Sequence, residues 1–86
     1  MTTRRAPFFQ REGERGGEDW YALARDAATG RLFVQHDWSH RRGAAFAGGR
    51  HEIELEAFLA QDGPAQDALR GRTDALMTEI EAIEAR

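Results

Sequence analysis

Cysteine, lysine and asparagine are all absent from this chain of 86 residues, and proline occurs only twice. Without cysteine, disulfides, thiolate zinc sites and a cysteine nucleophile are excluded. No segment approaches the about 20 consecutive apolar residues of a transmembrane helix, so the sequence predicts no membrane insertion. We expect a cytoplasmic protein. The use of arginine for all twelve basic residues is typical of a bacterial, GC-rich genome.

The composition is that of a folded chain with uneven charge. Hydrophobic residues make up 41% and charged residues 31%, which suits a small globular domain. Residues 1–50 carry a net charge of +3 and residues 51–86 a net charge of −6. Proteins that coat nucleic acid non-specifically are usually basic. The charge therefore disfavours that class.

The N-terminal segment lacks a hydrophobic period. Residues 1–17 show neither the two-residue repeat of a strand nor the 3.6-residue repeat of a helix. We therefore predict a disordered N-terminal arm at 1–17, followed by a single small α+β domain at 18–86. Phe8 and Phe9 are the apolar exception, and docking of this pair on the domain or on a partner stays an alternative.

A β-hairpin is the clearest local prediction. Strands at 18–26 and 31–39 flank a four-residue loop that ends in Gly30, where a left-handed conformation suits a residue without Cβ. This loop places Leu23 opposite Val34. Because side chains alternate across a sheet, one face is predicted to face the core and carries Tyr21, Leu23, Leu32, Val34, His36 and Trp38. The other face carries Trp20, Ala22, Ala24, Phe33, Gln35 and Asp37.

The remaining sequence predicts a loop, a strand and helices. Residues 40–51 are rich in glycine and alanine and indicate a loop, residues 51–55 alternate as a third strand, and 56–61 fit a short helix. Gly63 and Pro64 start a long helix at 64–84. The predicted fold is therefore α+β: a three-stranded antiparallel sheet, made of the N-terminal β-hairpin plus a third strand, packed by a long C-terminal helix with a short helix before it.

A homodimer is predicted because the domain is small. A core of this size without disulfides leaves a chain near the limit of stability, and self-association is a common remedy. The outer hairpin face, the loop tip and the alanine positions of the last helix offer surfaces for it. The predicted interface residues are Trp20, Phe33, Phe46, Ala68 and Ala75.

A basic segment suggests an anion site. Arginines and histidines bracket the predicted 40–51 loop, and they could contact a phosphate or nucleic acid. Arginines that merely solvate a loop are the alternative. The residues of this candidate site are His40, Arg41, Arg42, Arg50 and His51.

The histidine spacing is a weaker signal for zinc. His36 and His40 are four positions apart, with His51 near them in the predicted fold. On a strand this spacing corresponds to about 13 Å, whereas two nitrogens on one zinc lie within about 4 Å. The chain would have to bend at Ser39. We therefore predict no metal and no cofactor.

Catalysis has little support in the sequence. Asp37, Ser39 and His40 include the residue types of a catalytic triad, but close neighbours on an extended strand point apart, and the chain has no G-x-S-x-G elbow. We expect a non-enzymatic protein-interaction or regulatory protein that acts as a homodimer with an unidentified protein partner. The alternative is an accessory protein that binds nucleic acid or another phosphorylated ligand through the 40–51 loop.

Overall fold

The structure, a computed structural model, describes residues 3–13, 17–42 and 45–84 and has an α+β fold. One antiparallel sheet has the strand order β1-β2-β3-β4, so every strand pairs with its neighbour in sequence. Three helices follow the sheet. The elements are β1 (Thr3–Glu12), β2 (Glu18–Asp26), β3 (Leu32–Arg42), β4 (Ala45–Glu54), α1 (Leu55–Leu59), α2 (Pro64–Arg70) and α3 (Thr73–Glu84).

The central hairpin of β2 and β3 confirms the predicted register. Leu23 pairs with Val34, as the four-residue loop requires. Gly30 has a φ of 73°, the left-handed conformation that a Cβ would oppose. Its N–H donates to the carbonyl of Asp26 at 2.7 Å and closes the turn.

The prediction of three strands was wrong, because the segment interpreted as a disordered arm contains β1. Most of this strand pairs with β2, and the register shifts between Pro7 and Phe9. This β-bulge inserts Phe8 as an extra residue. Phe8 is therefore buried in the core, and the next residue, Phe9, also packs against it. A bulge breaks the alternation of apolar residues, and for this reason the two-residue period is missing from the sequence.

The predicted loop at 40–51 is also corrected by the structure. β3 continues to Arg42 and β4 begins at Ala45, so most of the segment forms a second long hairpin. Its strands pair without interruption from Phe33 opposite Glu54 to Arg42 opposite Ala45. Alanine and glycine in this segment reflect close strand packing instead of an open loop.

The long C-terminal helix is divided into α2 and α3. Gly71 caps α2, and the N–H of Arg72 donates to the carbonyl of Leu69 at 3.0 Å. The hydroxyl of Thr73 donates to the same carbonyl at 2.9 Å. The guanidinium of Arg72 reaches across to the carbonyl of Phe8 at 3.3 Å and so ties the break to β1. Gly71 itself keeps a right-handed conformation, with φ −84° and ψ −4°.

The helices cover one face of the sheet, as predicted. Leu23 and Val34 lie beneath Leu69 of α2 and Leu76 of α3, and all four are fully buried. Phe58 of α1 completes the cluster from the other side of the core. Among the described residues, no helix has the length and hydrophobicity that spanning a membrane requires.

Candidate functional site

A row of aromatic rings continues the helix-covered face of the sheet beyond the hydrophobic core. Tyr21 lies at the edge of the core, and the imidazole of His36 stacks on it with centroids 4.2 Å apart and planes within 2°. The row then passes to His51 at 6.0 Å, to Trp38 at 6.2 Å and to His40 at 5.3 Å. We call these five residues the aromatic strip.

Strand register explains why these rings meet. His36, Trp38 and His40 are two positions apart on β3, so their side chains project from the same face. Tyr21 of β2 and His51 of β4 both pair with His36, one on each side. All three histidines of the chain therefore lie on one face of the sheet.

Asp19 is the carboxylate of this surface. His36 Nε2 lies 2.8 Å from Asp19 Oδ1, while His40 Nε2 and the guanidinium of Arg11 approach the same carboxylate at 3.9 Å and 3.8 Å. The Asp19 side chain is only 14% exposed. Asp19 is thus approached by three potential cations.

Trp38 lies against the backbone of β4. Its partner across the strands is Gly49, and a Cβ placed there would lie 2.9 Å from Cζ2 of the indole. Glycine is therefore required for this contact. The indole N–H is buried and has no hydrogen-bond partner within the described part of the chain. Trp38 is half-buried, whereas His40 and His51 beside it are exposed.

The opposite face of the sheet, which we call the outer face, is covered by arginine and carboxylate side chains. The guanidinium of Arg31 lies 4.7 Å above the ring of Phe33. It donates to Glu54 and also, at 3.2 Å, to Glu52. These hydrogen bonds raise the pKa of Arg31. Phe33 is only 2% exposed as a result, although no described helix lies on this side of the sheet.

Asp37 is the centre of a second charged cluster on the outer face. Arg50 Nε donates to its Oδ1 at 2.6 Å, and Arg5 Nη1 approaches Oδ2 at 3.4 Å while also donating to Gln35 at 3.2 Å. The hydrogen bond from Arg50 is the main cause of a lowered pKa of Asp37, and burial opposes it. Arginines and carboxylates on this face therefore neutralise one another.

A groove of about 520 Å³ lies on the outer face between β1 and β3. The apolar lining of the groove includes Pro7 and the half-buried Trp20. Its charged lining includes both signs, from Arg5 and Asp37. The groove is open to solvent along the sheet. No described group in it combines a shifted pKa with enclosure from water, which is the usual mark of an active site.

The predicted anion site is divided by the sheet. His40 and His51 belong to the aromatic strip on the helix-covered face, whereas Arg50 on the outer face is paired with Asp37. Arg41 and Arg42 lie in β3, and their side chains fall outside the described residues. The prediction of a loop at 40–51 concealed this division, because adjacent side chains project to opposite faces only in a strand.

The predicted interface residues are dispersed over the molecule. Trp20 lines the groove, and Phe33 is buried beneath Arg31. Ala68 packs against the core, and Ala75 is exposed on α3. Phe46 pairs with Arg41 in the β3–β4 hairpin, and its side chain falls outside the described residues.

The residue types of a triad and of a zinc site do not converge. Asp37 is on the outer face, whereas His40 contacts Trp38 on the other face. Among the described residues, no group of three or more histidine, aspartate and glutamate side chains has a geometry that could hold a metal ion. Sequence reasoning placed Tyr21, His36 and Trp38 on one face, but it missed that His40 and His51 join them in the aromatic strip. Its signal was the two-residue spacing of His36, Trp38 and His40.

Comparison of the chain with models of known protein families, with curated proteins and with solved structures finds no match in any of the three. The geometry described above is therefore the basis for assigning a function.

Proposed function

We propose that this chain is a small non-enzymatic interaction protein that acts as a homodimer, and that the dimer forms by antiparallel pairing of β4 with β4 of a second copy. The observation that carries the proposal is the difference between the two edges of the sheet. β1 and β4 are the edge strands, and an edge offers unpaired backbone groups to another chain.

The edge at β1 carries features that oppose pairing. Pro7 lacks the N–H that a partner strand would need, and the bulge at Phe8 interrupts the strand beside it. The backbone carbonyl of Phe8 already accepts a hydrogen bond from the guanidinium of Arg72, which would compete with a partner strand. Natural proteins use such devices to prevent association at sheet edges.

The edge at β4 is regular. All ten residues from Ala45 to Glu54 pair with β3 in unbroken register, and the strand contains no proline. Gly48 and Gly49 are exposed and present no side chain that would obstruct a partner. A long, regular edge of this kind is suited to strand addition.

Charge complementarity selects one register for two copies of β4. An antiparallel pair related by a two-fold axis through His51 places Arg50 opposite the partner's Glu52, and Glu52 opposite the partner's Arg50. A shift of two residues in either direction would place Arg50 opposite Arg50, or Glu52 opposite Glu52. Opposite charges stabilise and like charges destabilise directly facing positions. Of these three registers, only the one centred on His51 sets no like charges directly opposite each other.

The non-enzymatic part of the proposal has its own support. The closest acid–imidazole pair, Asp19 and His36, is engaged internally, because His36 also stacks on Tyr21 and its side chain is only 18% exposed. Asp19 holds Nε2, and the second nitrogen, Nδ1, belongs to a largely buried ring that stacks on Tyr21, so a substrate would have little access to it.

The test is sedimentation velocity over a range of concentrations, with variants of opposite charge. Glu52→Arg replaces both attractive pairs by repulsive ones, so we expect the dimer dissociation constant to rise about tenfold or more. The double variant Arg50→Glu/Glu52→Arg restores opposite charges across the axis and should recover most of the affinity. A chain that stays monomeric at concentrations up to about 1 mM would refute the proposal.

A matched control is Glu54→Arg. It makes the same charge change on the same strand and also removes a hydrogen bond to Arg31, but in the proposed register it faces the partner's Gly48. It should therefore change the dissociation constant much less than Glu52→Arg. Equal weakening by both variants would show a general effect of charge and would contradict this register. Circular dichroism of each variant establishes that the fold is retained.

A further inference from the structure

We infer that the aromatic strip is a stacking surface for the bases of single-stranded nucleic acid. The inference concerns the helix-covered face and is tested apart from the proposed dimer, although His51 belongs both to the strip and to the two-fold axis of that dimer. Single-stranded nucleic acids are bound by aromatic side chains on which successive bases stack, together with cationic groups that contact the phosphates. The strip provides both on one open surface.

The arrangement of the rings supports stacking. His51 and Trp38 are nearly parallel, with planes within 16° of each other, and His40 follows 5.3 Å beyond the indole. The positions that face Trp38 and His40 across β4 are Gly49 and Ala47. Their small size lets the indole of Trp38 lie against β4 and places no large side chain beside the imidazole of His40.

The charged groups around the strip favour the binding of a polyanion. Asp19 is held by His36 and approached by Arg11, whose side chain is 63% exposed. His40 is 52% exposed and lies at the end of the row. The outer face, in contrast, sets Asp37, Glu52 and Glu54 beside its arginines.

Stacking distinguishes this site from a simple anion site. Free phosphate or polyphosphate would use the cationic groups alone, and would not need Trp38. Nucleobases would use the ring faces, with a contribution from each stacked base that is large enough to measure by substitution. The chain offers a direct probe, since its two tryptophans lie on opposite faces of the sheet.

The experiment uses the intrinsic fluorescence of two variants of the full chain. Trp20→Phe leaves Trp38 as the only indole, and Trp38→Phe leaves only Trp20. Each is titrated with oligodeoxythymidylate and oligouridylate of about twelve nucleotides, a length within the usual site size of such surfaces. We expect either oligonucleotide to quench Trp38 in the first variant, and to cause little change in Trp20 in the second.

Affinity measurements complete the test. By fluorescence anisotropy of a labelled oligonucleotide, His40→Ala should weaken binding about fivefold or more, the loss expected for one stacked base. Thr78→Ala, a substitution at an exposed position of α3, is the control and should leave binding unchanged. Binding should also weaken steeply as salt is raised. Thermal melting of the variants separates loss of binding from loss of fold.

Three outcomes would overturn the inference. The first is no binding of either oligonucleotide at low salt. The second is quenching of Trp20 equal to that of Trp38. The third is displacement of the oligonucleotide by inorganic polyphosphate at equal phosphate concentration with no effect of Trp38→Leu on affinity, which would indicate an anion site only. None of these outcomes bears on the dimer, which is measured by sedimentation without nucleic acid.

Discussion

Arg50 donates its Nε–H to Oδ1 of Asp37 at 2.6 Å, across the strands β3 and β4. The pair joins residues that are adjacent only because the register of the second hairpin places them opposite each other. It also fixes the orientation of Arg50 on the outer face, beside the edge at which we propose that the dimer forms.

This hydrogen bond makes stability depend on pH. Because it lowers the pKa of Asp37 below the ordinary value of 3.8, the stabilisation is present above that value and is lost as the pH falls through the folded-state pKa. Asp37→Asn should reduce the free energy of unfolding by about 1 kcal/mol at neutral pH, given that the pair is partly exposed. The difference between the two proteins should shrink below about pH 4.

Urea denaturation at neutral and at acidic pH measures this effect. Asp62→Asn removes a carboxylate from a fully exposed side chain and serves as the control. A difference between the native chain and Asp37→Asn that is the same at both pH values would contradict the assigned cause.

Tyr21 gives a second pH-dependent prediction, at the alkaline end. Burial raises its pKa above the ordinary value of 10.0, the charge of Asp19 adds to the effect, and Arg11 opposes it. The fold therefore favours the neutral phenol, and this stabilisation is lost as the pH rises through the folded-state pKa. We expect Asp19→Asn to lower the midpoint of ionisation and Arg11→Gln to raise it.

The measurement is direct, because the chain contains a single tyrosine. Absorbance of tyrosinate in the near ultraviolet follows its ionisation, and circular dichroism at each pH shows whether the fold persists. A midpoint at or below the ordinary value in the native chain, or shifts of the same sign in both variants, would contradict the prediction.

The central hairpin could be predicted from the sequence because its signals are local. Gly30 marks the turn, the loop length sets the register, and Leu23 and Val34 alternate with polar or small neighbours. The core contacts of Leu69 and Leu76 followed from the helical spacing of these residues. In each case the residues that carry the signal lie in, or within a few positions of, the strand, turn or helix that they specify.

The strands that the sequence did not predict depend on contacts with distant residues. β1 is stabilised by pairing with β2 and by packing of Phe8 on Phe58, and its bulge removes the alternating pattern. The aromatic strip depends on two registers at once, because His51 meets His36 only after β3 and β4 pair. Alternation along β3 and its pairing with β2 were visible in the sequence, but the pairing of β3 with β4 was not.

The membership of β1 in the fold can be tested at Phe8. The ring is 6% exposed and packs edge-on against Phe58 with centroids 5.9 Å apart. Phe8→Ala should therefore lower the free energy of unfolding by about 3–5 kcal/mol. Gln10→Ala, at an exposed position on the same strand, should cost less than about 0.5 kcal/mol. Equal and small effects of the two substitutions would be the result expected of a disordered arm.

Two glycines should respond to alanine in opposite directions. At Gly71, between α2 and α3, a Cβ would meet no atom within 4 Å, and the backbone φ of −84° is ordinary for alanine. Gly71→Ala should therefore stabilise the protein by about 0.4–1 kcal/mol, because alanine restricts the unfolded chain. Gly30 also has open space around it, but its φ of 73° opposes a side chain. Gly30→Ala should destabilise by about 1–2 kcal/mol.

Urea denaturation of both variants tests the backbone geometry directly, since neither substitution removes a side-chain contact. Stabilisation by Gly30→Ala would exclude the left-handed turn, and a loss of stability in Gly71→Ala would show that the joint between α2 and α3 needs glycine.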